Sequence, residues 1–288
     1  PLQQWISFRY FFISIALMFL IGLRDDVLAL SPRQKLFSQL LPVFVLVFLD
    51  HTVISSLYGL LGHGEFPPWL TYFVTLFTVV IVTNAYNLAD GIDGLAGTVG
   101  IFATLFFGIW FYLAGDPYLS LIALCFGGAL IAFILFNWQP SSIFMGDTGA
   151  LMVGLLLSFL AIRFINLNYA LRVENPYRFS ASISTALAVL IVPIFDTLRV
   201  IILRLKMGQS PFRADRKHLH HRLLAMGMTH AGAVKWLALM NLVFIILAIV
   251  LKALPDQVMI PLLVLLCLLI SFVLKWKEPA SDNPTHDA

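Results

Sequence analysis

Residues 70–97 read LTYFVTLFTVVIVTNAYNLADGIDGLAG. The first half is an almost unbroken apolar run; the second half carries two amides and two carboxylates, Asn84, Asn87, Asp90 and Asp93. A helix that crosses the hydrocarbon of a bilayer needs about 20 apolar residues, so the run reads as a membrane span with polar groups at its mouth. The four side chains recur every three residues, which makes successive members neighbours on a helix. Gly91 and Gly94 loosen that helix where Asp90 and Asp93 emerge. A helix stop with two Asp-Gly turns explains the carboxylates and the glycines. It does not explain amides one and two turns back, where intramembrane polar groups are functional candidates by default. A calcium-loop reading fails, because Leu95, Ala96 and Gly97 stand where the later ligands belong.

The remainder of the chain is built alike. Of its 288 residues 60% are hydrophobic and 11% charged, and the mean hydropathy is +0.93. Soluble domains average about 25% charged residues, so the composition predicts an all-α, polytopic integral membrane protein. Nine apolar stretches are candidate spans: 5–23, 36–50, 69–86, 98–114, 118–136, 148–166, 182–205, 232–252 and 257–275. None shows the alternation of a membrane barrel. Residues 276–288 form a polar tail on what reads as a single transmembrane domain over 1–288. Cys125 and Cys267 both lie in apolar runs, which excludes a disulfide framework or a thiolate metal site.

Nine spans sort the connections into two sets. Thirteen of the 18 lysines and arginines fall in or beside one set, which holds GLRDDVLALSPRQK, NLADGIDGLAG, FNWQPSSIFMGDTG, the loop after residue 204 and the tail. The positive-inside rule places that set in the cytoplasm. Asp25, Asp26, Asp90, Asp93, Asp147 and Asp215 collect on the same side, with Asp196 in a helix approaching it. Acids contribute little to orientation, so convergence of carboxylates from distant segments points to a binding site.

Three further segments supply candidates. Asp25 and Asp26 are adjacent carboxylates whose repulsion suits a cation or the proton of a phosphate, with Lys35 close in sequence to compensate charge or hold an anion. In FNWQPSSIFMGDTGALMVG, Ser142 or Asp147 is placed to cap the following helix. An acid beside exposed amides at a helix start also suits a Mg²⁺ ion bridging to phosphate. In DRKHLHHRL, the spacing of His218, His220 and His221 matches no zinc motif. With Arg216 and Arg222, these histidines suit a diphosphate or nucleotide rather than nucleic acid. Asp196 and Arg199 stand three apart on one helical face, either as a simple pair or as a wall of the site.

Taken in order, RDD, NxxNLADGIDGLA, FMGDTG, PIFDTLR and DRKHLHHRL resemble the polyprenyl-phosphate N-acetylhexosamine-1-phosphate transferase family, over about residues 20 to 230. HLHHRL looks like the branch that uses UDP-N-acetylglucosamine. The resemblance implies transfer of N-acetylglucosamine-1-phosphate from UDP-GlcNAc to undecaprenyl phosphate, with UMP released, at the cytoplasmic face of a bacterial plasma membrane. It implies Mg²⁺, or Mn²⁺ in its place, and leaves room for a homodimer. By similarity Asp25 is the base, supported by Asp26, while Asp147, with Asp26 and Asp90, belongs to the metal. Asn87, Asp90 and Asp93 belong to the metal and nucleotide pocket. His218, His220, His221, Arg216 and Arg222 hold the diphosphate or sugar, and Lys35 and Asp196 complete the site. The family fold has about two more helices and a loop before the Asp pair, so the chain reads as a fragment. The alternatives are the same reaction on UDP-GalNAc or UDP-MurNAc-pentapeptide and, from another class, an ion-coupled transporter.

Overall fold

The structure, a computed structural model, describes residues 2–60, 64–210 and 218–277. Twelve α-helices follow in order: α1 Leu2–Ser7, α2 Arg9–Leu28, α3 Pro32–Phe44, α4 Pro68–Ala89, α5 Leu95–Leu113, α6 Pro117–Asn137, α7 Gly146–Ala170, α8 Ser182–Val189, α9 Ile191–Lys206, α10 Leu219–Ala225, α11 His230–Val250 and α12 Asp256–Lys277. A π-helical turn, Val45–Leu49, extends α3. Among the described residues the only extended pairing is an isolated bridge between Ser56 and Glu65.

Local signals set several helix starts. Ser31 and Gln34 form a capping box ahead of Pro32. Asp116 accepts from the amides of Tyr118 and Leu119, with Pro117 in the first helical position. Thr229 accepts from Gly232 N at 3.1 Å and opens α11.

The centre of the bundle is α7, whose Leu155, Leu156, Leu157, Phe159 and Leu160 have no accessible surface. A helix that is apolar all round belongs in the interior, and α2 and α4 pack on its flanks. Both crossings are made with glycine. A Cβ on Gly22 of α2 would lie 2.5 Å from Thr148 Cα, and one on Gly154 of α7 would lie 2.8 Å from Thr83 Cα of α4. Small residues at such crossings let helices gain dispersion contact where lipid offers no hydrophobic drive.

The described helices do not confirm a count of nine spans. Among the described residues six helices are long and apolar enough to cross a membrane: α4, α5, α6, α7, α11 and α12, the last over Asp256–Leu274. The stretch 182–205 forms α8 and α9, bent by 85°, and makes a seventh if it counts as one span. Pro193 causes the break: it has no N–H for the carbonyl of Val189, which instead accepts from Asn241 Nδ2 at 3.3 Å. The stretches 5–23 and 36–50 are also helical, but α2 carries Arg9, Arg24, Asp25 and Asp26, and α3 opens with Arg33, Gln34 and Lys35. The charged ends of α2 and the 13-residue length of α3 keep them from meeting the same standard.

Candidate active site

The last turn of α2 ends at Ala29, whose left-handed φ of 47° closes the helix. Asp25 is buried there; its Oδ1 accepts from Leu30 N at 2.8 Å and its Oδ2 lies 3.1 Å from Lys35 Nζ. The same ammonium pairs with Asp147 Oδ1 at the start of α7. Asn87 Nδ2, from the last turn of α4, donates to that oxygen at 2.6 Å. Three helix ends therefore meet at one lysine.

Asp26 turns the other way. Its Oδ1 accepts from Asp147 N at 2.8 Å and its Oδ2 from Thr148 N at 3.0 Å and from the Thr148 hydroxyl. It thus caps α7 from another helix, where the amide ends favour a negative charge. The cap expected from Ser142 or Asp147 is not made: Ser142 Oγ donates to Phe136 O, and Asp147 is drawn away by Lys35 and Asn87.

Asp90 ends α4 beside these groups. Burial first, then the carboxylates of Asp147, Asp93 and Asp26, raise its pKa to about 7. Asp93 faces the opposite loop and accepts from Ser141 Oγ at 2.7 Å. The histidine segment rests on the same turn. A Cβ on Gly91 would lie 2.5 Å from His220 Cε1, so only glycine leaves room for the ring. Burial, followed by the neighbouring His221, lowers the His220 pKa to about 4 and keeps it neutral, against the pull of Asp196. Its Nε2 is buried without a hydrogen-bond partner among the described residues.

Asp196 is a bridging carboxylate. It pairs with Arg199 at 3.0 Å, and it also accepts from His218 Nδ1 and from Leu219 N, both at 2.9 Å. One buried carboxylate thereby fixes His218 and the start of α10. His221 and Arg222 lie on α10; Asp215 and Arg216 fall outside the described residues. The structure thus brings Asp25, Asp26, Lys35, Asn87, Asp90 and Asp147 to one end of the bundle, with the histidines beside Asp90 through Gly91.

Some of the architecture escaped the sequence reading. Asn84 points to Gln39, donating to its Oε1 at 2.8 Å and to Val80 O; this amide pair ties α3 to α4 and stands apart from the carboxylates. Asn137 is buried and joins the two acidic loops: its Oδ1 accepts from Gly94 N and its Nδ2 donates to Ile143 O, each at 2.8 Å. A polar residue closing the apolar run of α6 was the available signal.

The donor set suits a hard divalent cation. Carboxylate and amide oxygens dominate it, and a single lysine, Lys35, pairs with two of its acids. Among the described residues no three acids are arranged to ligate one ion, because Asp26 caps α7 and Lys35 lies between Asp25 and Asp147.

The sequence is similar to those of several known proteins. A probable undecaprenyl-phosphate N-acetylglucosaminyl 1-phosphate transferase of Bacillus subtilis (strain 168) is 31% identical over 241 residues, 82% of this chain and 64% of its own. An undecaprenyl-phosphate alpha-N-acetylglucosaminyl 1-phosphate transferase of Yersinia pestis is 30% identical over 287 residues, 95% of this chain and 74% of its own. A decaprenyl-phosphate N-acetylglucosaminephosphotransferase of Mycolicibacterium smegmatis is 33% identical over 232 residues, 76% of this chain and 57% of its own. The chain therefore spans between 57% and 74% of the length of these relatives. The sequence profile of glycosyl transferase family 4 matches residues 8–165, a region that holds the Asp25–Asp26 pair, the Asp90 turn and Asp147; the chain belongs to that family.

Proposed function

We propose that the protein transfers N-acetylglucosamine-1-phosphate from UDP-GlcNAc to undecaprenyl phosphate at the cytoplasmic face of a bacterial inner membrane. The observation that carries this reading is the Asp25–Lys35–Asp147 cluster, with Asn87 and Asp90, at one end of an apolar bundle. The names of the relatives support the lipid acceptor and the sugar, and the distribution of cations supports the orientation.

In this reading the phosphate of the lipid takes Lys35 as its counter-ion, which releases Asp25 from its ion pair. Asp25 then accepts the remaining phosphate proton, whose pKa lies near 6 in a phosphomonoester. The freed oxygen attacks the β-phosphorus of UDP-GlcNAc; the new P–O bond forms as the bond to the α-phosphate breaks and UMP leaves. Asp147, Asp26 and Asp90 would hold Mg²⁺ once Lys35 has moved to the lipid phosphate, and the ion would neutralise the diphosphate charge. Asn87 and Asp93 line the nucleotide side. His218, His220, His221, Arg216 and Arg222 hold the diphosphate and sugar, with Asp196 fixing His218. Val27, Leu28 and Phe37 are exposed beside Asp25 and Lys35 and give the polyprenyl chain an apolar approach.

Membranes containing the full-length protein, given undecaprenyl phosphate and one radiolabelled UDP-sugar at a time, test the proposal. Label should enter lipid from UDP-GlcNAc, with UMP released and EDTA abolishing both. Labelling only from UDP-GalNAc or UDP-MurNAc-pentapeptide would overturn the donor, and no lipid labelling from any donor would overturn the reaction.

A further inference from the structure

A groove of about 510 Å³ lies between α5 and α11, bounded by Phe102, Phe106, Ile109, Trp110, Ile245 and Ile249. Its position follows from the helix directions. The first residue of α5 is two residues from Asp93, and the groove begins at Phe102 and runs to Leu113. It therefore occupies the half of the bundle away from the carboxylate cluster. Ile109, Leu113 and Ile249 are exposed along it, so it opens sideways toward the bilayer.

One end of the groove is bounded by a hydrogen-bonded connecting segment. The segment with Pro176, Tyr177 and Phe179 forms its roof. Trp110 Nε1 donates to Tyr177 O at 2.9 Å. Lys252 lines the mouth; its Nζ donates to Pro176 O at 2.8 Å and its carbonyl accepts from Ser180 N at 2.8 Å. Arg178, between two lining residues, donates to Leu171 O at 2.8 Å. Neither cation is ion-paired with a carboxylate among the described residues.

The charge here runs against the rest of the chain. Only five of the 18 lysines and arginines fall outside the cation-rich side, and Arg172, Arg178 and Lys252 are three of those five. Glu174 is the one acid of the same loop. A cluster of cations on the cation-poor side is unexplained by orientation, while an apolar trough under a positive rim matches a lipid with an anionic head.

We infer that the α5–α11 groove binds an anionic phospholipid, one acyl chain lying along Phe106 and Ile249 and the phosphate at Lys252 and Arg178. Each cation near a lipid surface favours anionic over zwitterionic lipid by about fivefold. The site is separate from the transfer chemistry, and it predicts a selective lipid requirement for integrity of the outer half of the bundle.

Trp110 reports on the occupant directly. The full-length protein is placed in phosphatidylcholine nanodiscs with rising mole fractions of either phosphatidylglycerol or phosphatidylcholine brominated in one acyl chain. Quenching at Trp110 is the difference between the wild type and Trp110→Phe. Brominated phosphatidylglycerol should quench Trp110 at a mole fraction about 25-fold lower than brominated phosphatidylcholine does, about fivefold for each of the two cations. Lys252→Gln with Arg178→Gln should equalise the two lipids, and Lys252→Arg should retain the preference. Equal quenching in the wild type, which needs no variant, overturns the inference. So does protection of Trp110 from both lipids, which would mark the groove as an interface with a second copy. Loss of the phosphatidylglycerol effect on adding an equal mole fraction of undecaprenyl phosphate would give the groove to the polyprenyl chain and overturn it too.

Discussion

Replacing Gly22 by alanine tests whether helix packing sets the carboxylate geometry. The added Cβ would stand 2.5 Å from Thr148 Cα, 2.7 Å from Asp147 O and 2.8 Å from Thr148 N, all backbone atoms of the first turn of α7. Ordinary contact begins near 3.4 Å, so α2 and α7 must part by about 0.9 Å. Overpacking of this kind costs about 1–3 kcal/mol, enough to lower thermal stability in detergent without unfolding the bundle. The functional loss should be larger in proportion. Asp26 holds the amides of Asp147 and Thr148 at 2.8 and 3.0 Å, and Asp25 reaches Asp147 through one lysine; both links cross the gap that opens. A displacement near 1 Å costs on the order of a hundredfold in rate, or about 2.7 kcal/mol of barrier. UMP release with UDP-GlcNAc and undecaprenyl phosphate, normalised to folded protein by size-exclusion chromatography, measures it. Gly128→Ala on α6 is the control, since a Cβ there meets nothing within 4 Å. Turnover by Gly22→Ala within twofold of the wild type would show that this crossing does not position the site.

Two further outcomes follow from the same cluster. Gly91→Ala should raise KM for the UDP-sugar or lower kcat by about tenfold while lowering the melting temperature less than Gly22→Ala does, because the new methyl meets a side chain, the buried His220 ring, rather than helix backbone; wild-type kinetics would remove His220 from the site. For Asp90, the folded pKa of about 7 exceeds the unfolded value of 3.8, so the folded state binds the extra proton and metal-free stability should fall as pH rises across that window. Thermal unfolding in EDTA should show the slope, Asp90→Asn should flatten it, and added Mg²⁺ should reduce it by favouring the ionised carboxylate; a wild-type melting temperature independent of pH in EDTA would refute this account.

Much of the molecule was legible because bilayer and chemistry both leave strong local marks. All nine apolar stretches fold as helices, since backbone polar groups in lipid must be satisfied within the segment. The span count was not legible, because it depends on how polar ends such as Arg24–Asp25–Asp26 sit against α7 and on the release of one carbonyl by Pro193. Family membership was readable from short motifs in fixed order. The meeting of Asp25, Asn87 and Asp147 was foreshadowed by their common side, because topology alone sends those helix ends to one face.

The stretch that begins LTYFVTLFTVVIVTNAYNLADGIDG shows where the two kinds of information divide. By itself the sequence determined that a helix crosses the membrane and ends in oxygen-bearing side chains every third residue, since periodicity and hydropathy are local. It gave four residues one apparent role, and the tertiary structure assigns them different ones. Asn84 pairs with Gln39, Asn87 turns to Asp147, Asp90 takes the field of three other carboxylates, and Asp93 meets Ser141. Residues three apart on a helix are rotated by about 60°, so successive members face different neighbours. Which neighbour each one meets is decided by segments some 45 to 60 residues away in the chain.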